Sequence, residues 1–283
     1  MRLALPLATL LASTSCAAVP ASDAAVQSGA RYVAMGSSFA AGAGIGPLKQ
    51  GSPERCGRTT DNYAALLTAE LGLALVDASC GGATTAHLLG PWDELPAQLD
   101  AVTTETRLVT ITVGGNDLDY MGLLFTASCD PAVGMMFDGN RVPCPPVAPP
   151  MPSEADYAQL EADLAAIAKS VRMVASEATI VFVQYVTLVP EELCNATPLD
   201  ADDAIRARHL AARLAEVTAR AAEQTGALVL PADARSASHT ACDAEAWSRG
   251  FPADPEVPGA PWHPTAAGHA AIAAELARIL AEV

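Results

Sequence analysis

The sequence predicts an α/β fold: one five-stranded, mostly parallel sheet with helices on both faces, a three-layer sandwich. Three observations carry this. Five short apolar runs recur along the chain, separated by longer stretches of helical periodicity, the alternation that builds parallel sheets with crossover helices. The first three runs each feed a turn rich in Gly, Ser or Asn. The 283 residues are 51% apolar and only 5% aromatic, enough to bury a sizeable core built mainly from Ala, Val and Leu.

Taken in order, "RYVAMG" (Arg31 to Gly36) reads as a buried strand and "TDNYAALLTAEL" (Thr60 to Leu71) as a helix. "LALVDAS" (Leu73 to Ser79) and "RLVTITVG" (Arg107 to Gly114) read as the second and third strands. Leu118 to Pro152 reads as irregular, because "PCPPVAPPMP" (Pro143 to Pro152) lacks amide protons and has fixed φ. A loop of that length is functional or disordered as a rule, and a Cys129–Cys144 bridge inside it would favour an ordered flap. Ser153 is placed to cap a helix in which Tyr157, Leu160, Leu164, Ile167 and Val171 step by three and four into one buried stripe. "ATIVFVQYV" (Ala178 to Val186) is the fourth strand. A helix is expected from about Ala201 to Gln224, ended by Gly226, and "ALVLPA" (Ala227 to Ala232) is the fifth strand. A final helix carries Ile272, Leu276, Ile279 and Leu280 on one side. No internal repeat and no second domain is visible, so residues 30–283 are read as one domain.

Residues 1–21 read as an export leader. Arg2 is followed by the apolar "LALPLATLLA" (Leu3 to Ala12), too short to span a bilayer, and "VPA" (Val19 to Ala21) has the small residues of a cleavage site. Acylation at Cys16 is the alternative, with the leader ending before it, but Ser13 stands three residues earlier where lipoprotein signals carry Leu. The expected location is therefore secreted or attached to the cell envelope. The formal net charge of −16 argues against nucleic acid and against an anionic membrane surface, and fits an exported chain kept soluble by its acidity. No transmembrane helix, no cofactor and a monomer are expected. Of seven cysteines, Cys16 lies in the leader and six remain. No CxxC pair or zinc-spaced cluster occurs, so disulfides are favoured over metal. Joining sequence neighbours is the simplest of the many possible pairings, and the residues alone do not choose.

In sheets of this kind ligands bind where the C-terminal ends of the strands feed loops. Those loops hold "GSSFAAG" after the first strand, "CGGATT" (Cys80 to Thr85) after the second and "GGNDLDY" (Gly114 to Tyr120) after the third, and "PWHPTAAGH" (Pro261 to His269) precedes the last helix. A serine hydroxyl becomes a nucleophile when a base takes its proton, and histidine is the usual base. Of five histidines, His209 is explained by a helix surface, His239 by a loop hydrogen bond and His269 by packing, while His87 has no obvious partner. His263 lies in a turn before Pro264 and the capping residue Thr265, a position suited to a base. Gly82 can offer an unobstructed backbone N–H and Asn116 a side-chain amide to an oxyanion. Alone, each is an ordinary turn residue; Ser, Gly, Asn and His in that order, each after a separate element, are harder to explain as turns. "GAGIG" (Gly42 to Gly46) is not the GxGxxG of a dinucleotide site.

The set resembles the SGNH hydrolases, the GDSL esterases and lipases, over almost the whole mature chain. The first block, usually Gly-Asp-Ser, is similar to Gly36-Ser37-Ser38. Gly82 in "CGGATT" resembles the second, Gly114-Gly115-Asn116-Asp117 the third, and His263-Pro264 the last. Within the family it looks closest to secreted actinobacterial lipases and esterases. The resemblance implies an SGNH, flavodoxin-like sheet and pairing of neighbouring cysteines: Cys56–Cys80, Cys129–Cys144 and Cys194–Cys242. It also implies Ser38 as nucleophile, His263 as base and then acid, and an oxyanion hole of the Ser38 and Gly82 N–H groups with the Asn116 amide. Two departures stand out. Ser37 replaces the family's Asp, which leaves turn chemistry to be remade. Ala260 stands three residues before His263, where an Asp is common, so the Ala260 backbone carbonyl is expected to orient the imidazole, with Asp254 or Glu256 as alternatives if the loop folds back. The expected activity is hydrolysis of carboxylic esters such as acyl lipids. The rivals are carbohydrate O-acetyl esters or thioesters at the same site, or a non-catalytic envelope-binding protein.

Overall fold

The computed structural model describes residues 26–137, 140–251 and 258–282. The leader expected over residues 1–21, with Cys16, lies outside them, as do Asp254 and Glu256. In chain order the elements are β1 (Arg31–Gly36), α1 (Ser38–Ala41), α2 (Tyr63–Leu71), β2 (Ala74–Asp77), α3 (Thr85–Leu89), β3 (Thr106–Thr112) and α4 (Tyr120–Ser128). There follow β4 (Met135–Phe137), β5 (Asn140–Val142), α5 (Glu154–Val174), β6 (Thr179–Val183), α6 (Ala201–Thr225), β7 (Leu228–Leu230), α7 (Ala232–Arg235) and α8 (Ala266–Leu280).

The sheet has the order β2-β1-β3-β6-β7, with every pairing parallel. The chain therefore leaves β1 in one direction to β2, then crosses back past β1 to β3. This reversal creates a switch point between the C-terminal ends of β1 and β3, the crevice where such sheets bind ligands. Right-handed crossovers put helices on opposite faces on the two sides of that reversal. Accordingly α2 packs with α8, and α3 and α6 each pack with α5. The central strand β3 is buried from Leu108 through Thr112, as a strand covered on both faces must be. Its buried threonines are paired: Thr110 Oγ1 with the Tyr32 hydroxyl at 2.7 Å and Thr112 Oγ1 with the Tyr63 hydroxyl at 2.9 Å.

Local signals fix the helix ends. Asn62 accepts from the Ala65 N–H at 2.9 Å and starts α2, and Gly72, at φ +67°, ends it. Ser153 and Asp156 form a capping box on α5, whose stripe Tyr157, Leu160, Leu164, Ile167 and Val171 is buried as the periodicity required. Asp200 caps α6, and Gly226, at φ +63°, terminates it.

Three disulfides join sequence neighbours: Cys56–Cys80, Cys129–Cys144 and Cys194–Cys242. Two expectations change. The stretch from Leu118 to Pro152 is not irregular throughout. Its proline-dense run begins only at Pro143, with Pro131 alone ahead of it, and the apolar residues before Pro131 form α4, burying Tyr120, Met121, Leu123 and Leu124, followed by the small antiparallel β4–β5 hairpin. The run read as a fourth strand through Val186 leaves the sheet after Val183, because β7 pairs only as far as Leu230. Tyr185 thus sits in the loop beyond the strand end, not in the sheet.

Candidate active site

Strand β1 ends at Gly36, whose φ of +139° and contact with the Thr112 carbonyl leave no room for a Cβ. The buried Gln98 side chain clamps this residue: Gly36 N–H donates to Oε1 at 2.7 Å and Nε2 donates to the Gly36 carbonyl at 3.0 Å. The turn so held carries Ser37, buried, and then Ser38, partly exposed, as the first residue of α1. Gly42, at φ +77°, stops that helix after one turn.

His263 Nε2 lies 2.8 Å from Ser38 Oγ. Its other nitrogen, Nδ1, lies 2.7 Å from the Pro261 carbonyl oxygen. A carbonyl can only accept, so Nδ1 carries the proton, and the Nε2 lone pair faces the serine hydroxyl. Burial drives the ring's pKa down to about 4, only partly opposed by the Pro261 carbonyl, so the imidazole is neutral above mildly acid pH. Phe39 covers it, ring centroids 4.8 Å apart.

The orienting carbonyl is a correction. It belongs to Pro261, two residues before the histidine, and not to Ala260. The Ala260 peptide is engaged elsewhere, its N–H donating to the Ala43 carbonyl at 3.0 Å. Trp262 takes φ +55°, a left-handed turn that tucks the Pro261 carbonyl under the ring. That strained backbone is held by complete burial of the Trp262 indole, whose Nε1 donates to Ser128 Oγ of α4 at 3.1 Å. Thr265, as expected, caps α8 by accepting from Gly268 N–H at 3.0 Å.

Gly82 stands in the loop after β2 at φ +79°, where a side chain would be strained and would approach the Trp92 indole. Trp92 is itself sandwiched between the His87 ring and the Arg55 guanidinium. The loop is fastened to the end of β1 by Cys80 N–H donating to the Gly36 carbonyl at 2.9 Å, and to the segment before α2 by the Cys56–Cys80 disulfide. Among the described residues, the N–H groups of Ser38 and Gly82 have no protein acceptor.

Asn116, after β3, donates from Nδ2 to the Ala83 carbonyl at 2.9 Å, which uses one of its two amide hydrogens. Its neighbour Asp117 accepts from Thr85 N–H at 3.0 Å and from Thr85 Oγ1 at 2.5 Å. Burial raises the Asp117 pKa, and these Thr85 hydrogen bonds oppose the rise. The second and third loops are thus joined through the adjacent Asn116 and Asp117 on one side and Ala83 and Thr85 on the other. The structure brings Ser38 and His263 into direct contact, and links the Gly82 loop to Asn116 and to the turn before Ser38.

Of the remaining histidines, His87, His239 and His269 have structural partners. His87 Nδ1 accepts from Thr84 N–H at 3.0 Å, His239 Nδ1 lies 2.9 Å from the Glu245 carbonyl, and His209 is exposed on α6. His269 is fully buried and accepts from Tyr63 N–H at 3.1 Å; burial pushes its pKa down to about 3. No group of three or more His, Cys, Asp or Glu side chains among the described residues could hold a metal ion. Sequence reading missed Gln98, Phe39 and Tyr185, and assigned no role to Asp117 or Trp262. Both of the latter stand inside quoted motifs, which was the available signal.

Residues 34–271 match the model of the GDSL-like Lipase/Acylhydrolase family. Lipase 2 of Streptomyces coelicolor is 33% identical over 218 residues, which cover 75% of this chain and 73% of that protein. A phospholipase A1 from Streptomyces albidoflavus superposes with a TM-score of 0.69 at 24% identity, covering 89% of this chain and 99% of that one. An extracellular lipase from Streptomyces rimosus superposes with a TM-score of 0.67, also at 24% identity, covering 88% and 98%. At that identity the two structures show a shared fold.

Proposed function

The chain belongs to the GDSL-like lipase/acylhydrolase family and is a carboxylic ester hydrolase; from that premise we propose that it cleaves its esters through an acyl-enzyme on Ser38. The observation that carries this reading is the 2.8 Å contact between Ser38 Oγ and the unprotonated Nε2 of His263. As Ser38 Oγ attacks the acyl carbon, Nε2 takes the hydroxyl proton, and the carbonyl oxygen becomes an oxyanion. The N–H groups of Ser38 and Gly82 and the free amide hydrogen of Asn116 are the donors for it. His263 then gives its proton to the departing alcohol. Water, deprotonated by the same nitrogen, attacks the acyl-enzyme; the tetrahedral intermediate collapses to release the acid, and Nε2 returns its proton to the departing Ser38 Oγ.

The acid–base unit is a Ser–His pair whose imidazole is oriented by the Pro261 carbonyl. A carbonyl fixes the tautomer and direction of the ring, as a carboxylate does, but brings no negative charge to stabilise the imidazolium. Acyl lipids or similar apolar esters are the proposed substrates. The lipases among the relatives support that choice. The three disulfides fit an oxidising location, and export through the residue 1–21 leader is proposed with them. No helix among the described residues is long and apolar enough to cross a membrane.

The test is hydrolysis of esters of graded acyl length by wild type, Ser38→Ala and His263→Ala, together with labelling by a serine-directed phosphonate. Loss of kcat by about 10³-fold or more in both variants is expected. Unchanged activity in Ser38→Ala refutes the mechanism, and activity confined to acetyl esters refutes the lipid substrate.

A further inference from the structure

We infer that Tyr185, in the loop beyond β6, is a positioning residue that sets the Ser38 turn and the Asn116 loop in register through its hydroxyl. The inference rests on the proposed roles of Ser38 and Asn116.

The Gly115 N–H donates to the Tyr185 hydroxyl oxygen at 3.0 Å. The same hydroxyl lies 3.2 Å from Ser37 Oγ. With its lone pair taken by Gly115, the phenol is free to donate its own proton to Ser37. Both partners directly precede a residue of the site: Ser37 stands before Ser38, and Gly115 before Asn116. Ser37 and Tyr185 are buried, so water is a poor substitute for either bond. The fit around Gly115 is close, since a Cβ there would meet the Tyr185 ring at 2.8 Å. The ring also packs on Phe39 with centroids 4.3 Å apart, and Phe39 in turn covers His263. One side chain therefore touches the backbone or side-chain neighbours of the nucleophile, the amide donor and the base. Ser37, which replaces the family's Asp, has its turn chemistry remade by this phenol.

Removing the hydroxyl leaves Gly115 N–H without an acceptor, and its peptide carries the Asn116 amide. An oxyanion donor out of place matters when charge develops on the oxygen, so the loss falls on kcat and not on KM. The experiment compares wild type, Tyr185→Phe and Ser37→Ala on a soluble short-chain ester, with kcat divided by the concentration of sites titrated by phosphonate. For Tyr185→Phe the expected result is a kcat about tenfold lower, with KM within about twofold and an unchanged melting temperature within a few degrees. For Ser37→Ala about a threefold loss of kcat is expected. Wild-type kcat per titrated site in Tyr185→Phe, or a loss shared equally by KM and thermal stability, overturns the inference. If Tyr185→Phe does not fold, Ser37→Ala decides: wild-type kcat per site overturns the inference. Failure of phosphonate to label Ser38 in the wild type overturns the nucleophile assignment itself, and this inference with it. A labelled wild type with undiminished Tyr185→Phe overturns this inference alone.

Discussion

Lowering the pH should leave the enzyme active well below the range in which histidine-dependent catalysis usually fails. His263 must be neutral to accept the Ser38 proton, and burial beneath Phe39 with only a carbonyl at Nδ1 brings its pKa down to about 4. At pH 5 a histidine titrating near 6.5 is about 97% protonated, whereas one titrating near 4 is about 10% protonated. The plateau rate should therefore fall only by about a tenth at pH 5, against about thirtyfold for an unshifted ring. Stability moves in the same direction. His263 and His269 both have folded pKa values below the unfolded one, so their contribution is complete above about pH 6.5 and is lost as pH falls toward about 4 and about 3. At pH 5 that loss is about 2 kcal/mol for each histidine, a sizeable part of the stability of an ordinary domain. Initial rates of kcat/KM on a soluble short-chain ester should be measured by pH-stat after a jump from pH 7, with circular dichroism taken at each pH. An acid limb at or above 6.5, with the fold intact, refutes the reasoning. A limb at 6.5 would mean a solvent-exposed ring, and one above it a negative charge beside the ring in place of the Pro261 carbonyl.

Asn116→Ala should lower kcat by about 10²–10³ with little change in KM, as for other side-chain oxyanion donors, and steady-state kinetics on the same ester checks it. Replacing both Cys56 and Cys80 by Ala opens a loop of sequence separation 24 and should cost about 3 kcal/mol in urea unfolding. The loop carrying Gly82 loses its covalent fastening, so activity should fall before the fold is lost, readable as a lower kcat at denaturant concentrations where circular dichroism is unchanged.

Much of this protein was legible in the chain because the relevant signals are local. The caps Ser153 and Thr265, the αL stop Gly226 and the periodic stripe of α5 act over a few consecutive residues. The first strand, Arg31 to Gly36, needed only its apolar run and the glycine that follows. The four motif segments carried Ser38, Gly82 and Asn116 after strand ends, and His263 before a capped helix, boundaries that local sequence marks. The α4 helix was missed where prolines further on coloured the reading of the whole stretch.

What the tertiary structure decided are the contacts between segments with no sequence relation. Tyr185 looked like one more strand residue; that its hydroxyl meets Gly115 and Ser37, 70 and 148 residues away, depends on where the sheet ends. The family resemblance implied the Ala260 carbonyl as the orienting group. That role passed to Pro261 because Trp262, anchored in the core by its indole, turns the backbone through a left-handed conformation. The low pKa of His263 is likewise a property of what buries it. A residue's chemical type and its immediate turn are written in neighbouring letters, whereas hydrogen-bond partners and dielectric surroundings exist only once distant segments have packed.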